Sequence, residues 1–322
     1  MTYASLIRFN FQLGAQVLGT GAGIEVRAIV AADKASHMTS DLVQTFAPPD
    51  GSMHRFPATW PLERIVAALN ELQPDQLTGY ASMIQQLTRE AAAGRLRIAP
   101  KLVGSTSEPL LPEIRAAVAA TRQAPLFNGF GTTEGLMGGS CGASRGIHLS
   151  DDLFVIEPVD SSGDPLRPGE RASKLYLTNL YNLTQPLVRY ELTDEVAVLD
   201  APCSCGTTLV RIDDIQGRLD DCFTYPDGPT IHPFTFRSPL GREANIVEYQ
   251  VRQTLRGADV LVRCDGPVDM ARVAETIRCS LIELGLSGAT VSLGAVDALT
   301  RESTGKLRRF IPLPVDARRT GE

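Results

Sequence analysis

The chain has 322 residues, of which 43% are hydrophobic and 21% charged, the balance of an ordinary globular protein with room for one large domain and a smaller one. Its 37 acidic and 31 basic residues give a formal charge of −6 with no basic run, which excludes a nucleic-acid surface, and no apolar run is long enough to span a bilayer. Six scattered cysteines and an N-terminus without the layout of a secretory signal point to a reduced, cytoplasmic protein.

In chain order, Phe9 to Ile24 is apolar and glycine-rich, and Gly19-Thr20-Gly21-Ala22-Gly23 invites comparison with a dinucleotide-binding loop. Those glycines precede the strand-like run Ile24–Val30, whereas the dinucleotide fingerprint follows a strand and opens a helix. The cluster therefore reads as a turn. Leu62, Ile65, Val66, Leu69 and Leu72 have helical spacing, and Pro74 ends that helix. A second helix covers Ser82–Ala93 and stops at Gly94, a short strand covers Lys101–Gly104, a third helix Pro112–Ala120, and a strand Pro125–Phe127. This alternation predicts an α/β sheet with helices on its faces and ligand loops at the strand carboxyl ends. After Ile147 the pattern changes to strands and turns, at 153–156, 174–177 and 196–199. From about Asp221 it becomes a small α+β unit, with a strand near Val260–Val262, a helix over Met270–Leu284 and a strand over Thr290–Leu293.

Four segments carry chemistry. Asn128-Gly129-Phe130-Gly131-Thr132-Thr133-Glu134-Gly135 combines glycines that allow close backbone approach, hydroxyls that can donate to phosphate, and a carboxylate that can hold a hard cation. Alone it is also an ordinary Gly-Thr turn. The others are Pro186–Asp194, Ile215–Asp221 and the basic loop Leu299–Arg309, which contains Lys306. A separate set, Cys141, His148, Cys203 and Cys205, has Cys-x6-His and Cys-x-Cys spacing, with Pro202 and Gly206 beside the second pair. That spacing suits a tetrahedral zinc site, and equally a group of unliganded thiols. Cys222, Cys264 and Cys279 read as core or surface thiols, and His37, His54 and His232 are assigned no role.

In this order the four segments resemble the adenylate-forming superfamily, and within it the phenylacetate–coenzyme A ligase-like branch, from about Pro61 to Phe310. Leu69–Leu77, Ser107–Leu110 and Thr178–Leu183 resemble the same branch. The resemblance implies a mixed α/β fold: the C-terminal part of a large sheet-and-helix AMP-binding domain (1–219, with a strand-rich part at 150–219) and a small α+β lid domain (220–322). It implies an AMP-forming acyl- or aryl-CoA ligase, which activates a small carboxylic acid with ATP and passes the acyl group to coenzyme A. Thr133 would bond the phosphate and Glu134 would hold magnesium. Phe130, Gly131, Thr132, Ser107 and Glu108 would border the nucleotide and acyl pocket, Asp194 would take the ribose hydroxyls, and Arg218 would assist there. Asp220 would be the hinge, and Lys306 would neutralise charge during adenylation. In the branch, a set like Cys141, His148, Cys203 and Cys205 holds structural zinc.

The resemblance breaks upstream, where full-length relatives carry a Ser/Thr/Gly-rich phosphate loop that does not precede Pro61 here. The expectation is a ligase that is incomplete alone and works as a homo-oligomer or with a complementing N-terminal partner chain. The alternative is a non-catalytic nucleotide-binding remnant, or one half of a split ligase. An aromatic acid is the substrate class the branch implies.

Overall fold

The computed structural model describes residues 23–33, 50–122, 124–142, 146–167, 169–213, 215, 221–226 and 228–314. Gly19–Ala22, the apolar start, Arg218 and Asp220 lie outside these residues. Contacts divide the chain into two units, Met1–Ile215 with Ser303–Lys306, and Gln216–Glu302 with Leu307–Glu322.

The first unit is built on a ten-stranded sheet among the described residues, in the order β2-β1-β3-β4-β5-β6-β7-β13-β12-β9. Its parallel half contains β1 (Arg27–Ala31), β2 (Met53–Pro57), β3 (Gln76–Tyr80), β4 (Leu102–Thr106) and β5 (Leu126–Gly131). Between them run α1 (Leu62–Leu72), α2 (Ala81–Ala92) and α3 (Pro112–Arg122). In α1 the apolar stripe buries Ile65, Val66 and Leu69, and Gln73, at φ 51°, turns the chain out of the helix. These side chains join Val30, Leu77, Leu87, Val103, Ile114 and Val118 in one core. Burying each such side chain stabilises by about 1.5–3 kcal/mol, whereas an exposed pair such as Arg95–Glu90 contributes about 0–1 kcal/mol. Helix-on-sheet packing therefore holds this half together.

The other half is antiparallel: β6 (Met137–Ser140) folds back on β5, followed by β7 (Ile147–Leu149), then β13 (Arg211–Ile212), β12 (Val196–Leu199) and β9 (Arg171–Ala172). A three-stranded sheet of β8 (Phe154–Val159), β10 (Lys174–Asn179) and β11 (Tyr190–Leu192) packs with it around Leu136, Phe154, Leu175 and Leu177. The octet is thus half strand: β5 runs on to Gly131, past Phe127 where the sequence suggested it ends. β6 carries almost no side-chain signal because a Cβ on Gly139 would sit 2.2 Å from the Phe127 ring.

The second unit contains β14 (Phe223–Thr224), β15 (Thr230–Ile231), α4 (Phe234–Gly241), β16 (Ile246–Thr254), β17 (Gly257–Cys264), α5 (Met270–Glu283), β18 (Thr290–Ala295) and β19 (Phe310–Ile311). Four of its strands form a sheet in the order β18-β17-β16-β19. Phe223, Phe236 and Phe310 cluster in its core with ring centroids 5.1–6.4 Å apart. The mixed α/β class, with a separate smaller α+β unit, is the one the sequence implied. No helix among the described residues is long and apolar enough to cross a membrane.

Asp75 ties the amino ends of three parallel strands. Its carboxylate accepts from Glu25 N and Val26 N at 2.9 Å, just before β1, and from Lys101 Nζ at 2.8 Å, just before β4. The Lys101 ammonium first, then the two amides, lower its pKa from 3.8 to about 2. A depressed carboxyl pKa stabilises the fold above the unfolded value of 3.8 and loses that contribution as pH falls toward 2. Asp75→Asn should therefore cost about 1–2 kcal/mol at pH 7. Thermal unfolding checks this: the difference from wild type should shrink as pH is lowered from 4 to 2.

Candidate active site

The carboxyl ends of β3, β4 and β5 lie side by side, with Tyr80 opposite Thr106, Ser105 opposite Asn128 and Thr106 opposite Gly129. Tyr80 ends β3; it is fully buried, and its hydroxyl is fixed by Ala32 N at 2.8 Å. Ser105, next to last in β4, is buried, with no hydrogen-bond partner for Oγ among the described residues. Ser107 follows at φ 64°, an uncommon conformation for serine that marks a forced turn. Glu108 does not point to open space: its carboxylate accepts from Ser82 N at 2.8 Å and Ser82 Oγ at 3.1 Å. It thereby satisfies amide donors at the start of α2, where a negative charge is favoured.

Beyond β5 the chain turns through 132–136. Thr132 N donates to Leu136 O at 2.9 Å and Gly135 N to Thr132 O at 3.1 Å. Gly135 has φ 103°, and a Cβ there would meet the Tyr181 hydroxyl at 2.4 Å, so only glycine fits. Thr132 Oγ1 is buried with no hydrogen-bond partner among the described residues. Thr133 Oγ1 donates to Glu134 Oε2 at 3.2 Å on the exposed side of the turn. Phe130 is partly buried against the Leu136, Ile147 and Leu149 core, leaving one part of the ring accessible.

The turn is held from outside by the segment Thr178–Tyr181. Asn179 Nδ2 donates to Glu134 O at 3.1 Å, and Tyr181 hydroxyl reaches Gly135 O at 3.4 Å. The same segment holds the second motif: Asn179 N donates to Leu187 O at 2.9 Å, and Arg189 N donates to Thr178 Oγ1 at 3.0 Å. Arg189 sits at φ 50°, its guanidinium over the Tyr176 ring and 3.2 Å from Glu157 Oε2. Asp194 is buried between β11 and β12. The sequence displayed Asn179 and Tyr181 but gave them no role; an Asn in a strand followed by Tyr two residues on was the available signal.

Ser303–Lys306 groups with the first unit, and there Lys306 Nζ lies 5.7 Å from the centre of the Tyr80 ring. Lys306 thus lies beside the residue that ends β3.

Cys141, His148, Cys203 and Cys205 come together although 64 positions separate the first from the last, their ligand atoms all within 4.8 Å of one another. Cys141 Sγ is 3.5 Å from Cys203 Sγ, and Cys205 Sγ is 3.6 Å from His148 Nε2. Tetrahedral zinc with its usual bond lengths needs edges of about 3.8 Å for sulfur–sulfur and about 3.5 Å for sulfur–nitrogen. The four side chains fit such an ion. As thiols, burial, with the nearby Cys203 and Cys141 sulfurs adding to it, pushes Cys205 up to about 11. A bound dication would reverse that preference. The cluster joins β6, β7 and the turn before β13, because Cys141 follows β6 and His148 pairs with Arg211.

No protein-family model matches the chain. Among curated proteins it is similar to the phenylacetate–coenzyme A ligase of Thermus thermophilus, 25% identical over 219 residues, covering 66% of this chain and 47% of that protein. The chain thus spans about half the length of the curated relative it matches. Its fold matches a 2-hydroxyisobutyryl-CoA ligase solved in the postadenylation state with an acyl-AMP, at TM-score 0.72 and 19% identity, over 96% of this chain and 70% of that one. It also matches a benzoate CoA ligase of Burkholderia xenovorans, at TM-score 0.63 and 18% identity, over 96% of this chain and 65% of that one. The fold is that of the adenylate-forming CoA ligases, and the resemblance read from the four motifs to their phenylacetate–CoA ligase-like branch stands.

The Asn179 contacts give a direct prediction. Asn179→Ala leaves the part-buried Glu134 carbonyl without this donor and should destabilise the first unit by about 1–3 kcal/mol. Hydrogen exchange at 132–136 should rise more than at β3 or β4, which report the sheet itself.

Proposed function

We propose that the chain performs, or contributes to, AMP-forming ligation of a small carboxylic acid, most simply an aromatic one, to coenzyme A. What supports the reading is the row of carboxyl ends of β3, β4 and β5, with the Thr133–Glu134 turn following β5 and Lys306 beside Tyr80 at the end of β3, in the fold of this ligase class. A carboxylate oxygen of the acid attacks the α-phosphorus of ATP, and the bond to pyrophosphate breaks, giving acyl-adenylate. The sulfur of coenzyme A then attacks the acyl carbon, its proton leaves to solvent, and AMP departs.

Each residue has a part in that sequence. Thr133 hydroxyl bonds the α-phosphate. Lys306 offsets the negative charge that builds as two anions meet, a task for an oriented cation. Asp194 accepts the two ribose hydroxyls with its paired oxygens. Phe130, Gly131, Thr132 and Ser107 border nucleotide and acid. Glu108, engaged with Ser82, acts by fixing the start of α2 rather than by touching ligand. Glu134 holds magnesium, which would neutralise phosphate charge when bound. Arg218 assists at the ribose, and Asp220 is the pivot of a small domain from 220 onward. Cys141, His148, Cys203 and Cys205 hold a structural zinc, supported by the fit of their spacing to a tetrahedron. The site of action is the cytoplasm, where thiols stay reduced.

The second reading is a nucleotide-binding protein without turnover, or a chain that acts with a complementing chain or a second copy; the match spans 47% of the curated relative. AMP release from magnesium-ATP, coenzyme A and a panel of aryl and aliphatic acids separates them. The ligase reading expects release that depends on one acid and falls at least about 100-fold in Lys306→Ala. ATP binding without release from any acid would leave only the second reading.

Zinc can be checked by elemental analysis. The purified chain should hold about one zinc, and Cys203→Ser with Cys205→Ser should release it and lower Tm by roughly 5 °C or more. Metal-free protein with unchanged Tm in the double variant would refute the site.

A further inference from the structure

Strand β16 alternates so that Tyr249 and Val251 enter the aromatic core of the second unit, while Glu248, Gln250 and Arg252 face the other way. On that second face Arg252 is exposed, but the two residues before it are not left to water. Glu248 and Gln250 are both buried.

Gln250 uses its whole hydrogen-bonding capacity. Its Nε2 donates to Arg308 O at 2.9 Å and, at a longer 3.4 Å, to Thr300 O. Its Oε1 accepts both Arg252 Nε at 3.1 Å and Arg252 Nη2 at 2.8 Å. The Arg252 fork settles which way the amide points, since a flipped amide would set NH2 against guanidinium and oxygen against two carbonyls. Thr300 and Arg308 are the two ends of the segment that carries Lys306. Two further contacts secure those ends: Glu248 accepts from Arg301 on one oxygen and from Arg263 at 3.0 Å on the other, and Val251 N donates to Arg309 O at 2.7 Å.

We propose that Gln250 is a positioning residue that closes the Thr300–Arg308 loop and so sets where Lys306 is presented, with Glu248 fixing the entry through Arg301. The positional role for Lys306 rests on the ligase reading above; the closure of the loop does not. A buried amide suits this work because each loop carbonyl needs a donor, and a charged donor in its place would have to be desolvated.

The test uses the full chain with Gln250→Glu, which puts a second acceptor against both carbonyls, and Gln250→Met, which removes the donor at similar volume. Timed trypsin digestion followed by mass spectrometry reads cleavage after Lys306 and Arg308, with Arg278 in α5 as the reference for unfolding of the whole unit. Both variants should be cut in the loop roughly tenfold faster, with the Arg278 site within about twofold of wild type. Unchanged loop cleavage overturns the proposal. So does loop cleavage that rises in step with Arg278 in both variants, since Gln250 would then be part of the folding core and not a clamp.

A second arm reads the consequence for Lys306. Acid-dependent exchange of pyrophosphate into ATP should fall roughly 30-fold in Gln250→Met, while thioester formation from preformed acyl-adenylate stays within about twofold. An equal loss in both half-reactions contradicts the positioning role. Absence of exchange in wild type would strike the ligase reading, and the digestion would still decide whether Gln250 closes the loop.

Discussion

Turning the chain back at Thr132–Leu136 leaves the carbonyl of Glu134 outside the β5–β6 ladder, and such a group needs a donor from elsewhere. Asn179 supplies it from the end of β10, at 3.1 Å. Its own Oδ1 is taken by Tyr181 N at 3.0 Å and Asn182 N at 2.9 Å, so the side chain is immobilised by the turn it starts. Through its backbone N–H it also grips Leu187 O, at the start of the Arg189–Asp194 segment. A single buried amide therefore fixes two motifs that lie more than fifty positions apart in the sequence. Gly135 shows the same dependence, because Tyr181 occupies the space any side chain would need.

Around that point the two halves of the large sheet do different work. The parallel half provides a rigid row of strand ends, gathered at the opposite end by Asp75 and filled between helices by aliphatic side chains. The antiparallel half returns the chain past those ends and gathers Cys141, His148, Cys203 and Cys205 at its turns. In the smaller unit β16 separates two tasks by alternation. One face packs aromatic rings, and the other holds the ends of the basic loop.

Where side chains follow a clean period, the sequence was readable. Leu62 to Leu72 coincides with α1 and Met270 onward with α5, because apolar spacing there reports a single buried face, while Val196 to Leu199 coincides with β12 as a short continuous apolar run. Strand ends were read short, as at Phe127, because Asn128 to Gly131 belongs to the ladder through backbone rather than side-chain signal. Met137–Ser140 was invisible for the same reason, as its glycines leave room for Phe127 and β7. The longest miss is Ile246–Thr254, whose Glu248, Gln250 and Arg252 look like a solvated face, whereas Glu248 and Gln250 are buried and bonded to Arg301, Thr300 and Arg308. The motif residues were legible as residue types in order. That Ser82 claims the Glu108 carboxylate is shown only by the fold, because the two residues are 26 positions apart. The thiol and imidazole set was legible by spacing, and the fold brings its members within 4.8 Å.

The central claim is that the strand-end turn and Asp194 form one adenylate site. Calorimetric binding of a non-hydrolysable aryl-sulfamoyl adenosine, which keeps the shape of an acyl-adenylate, tests it most directly. The account predicts saturable binding that weakens by roughly 100-fold in Asp194→Ala and by roughly tenfold in Thr133→Ala. Binding that is absent in wild type, or indifferent to both substitutions, would contradict it.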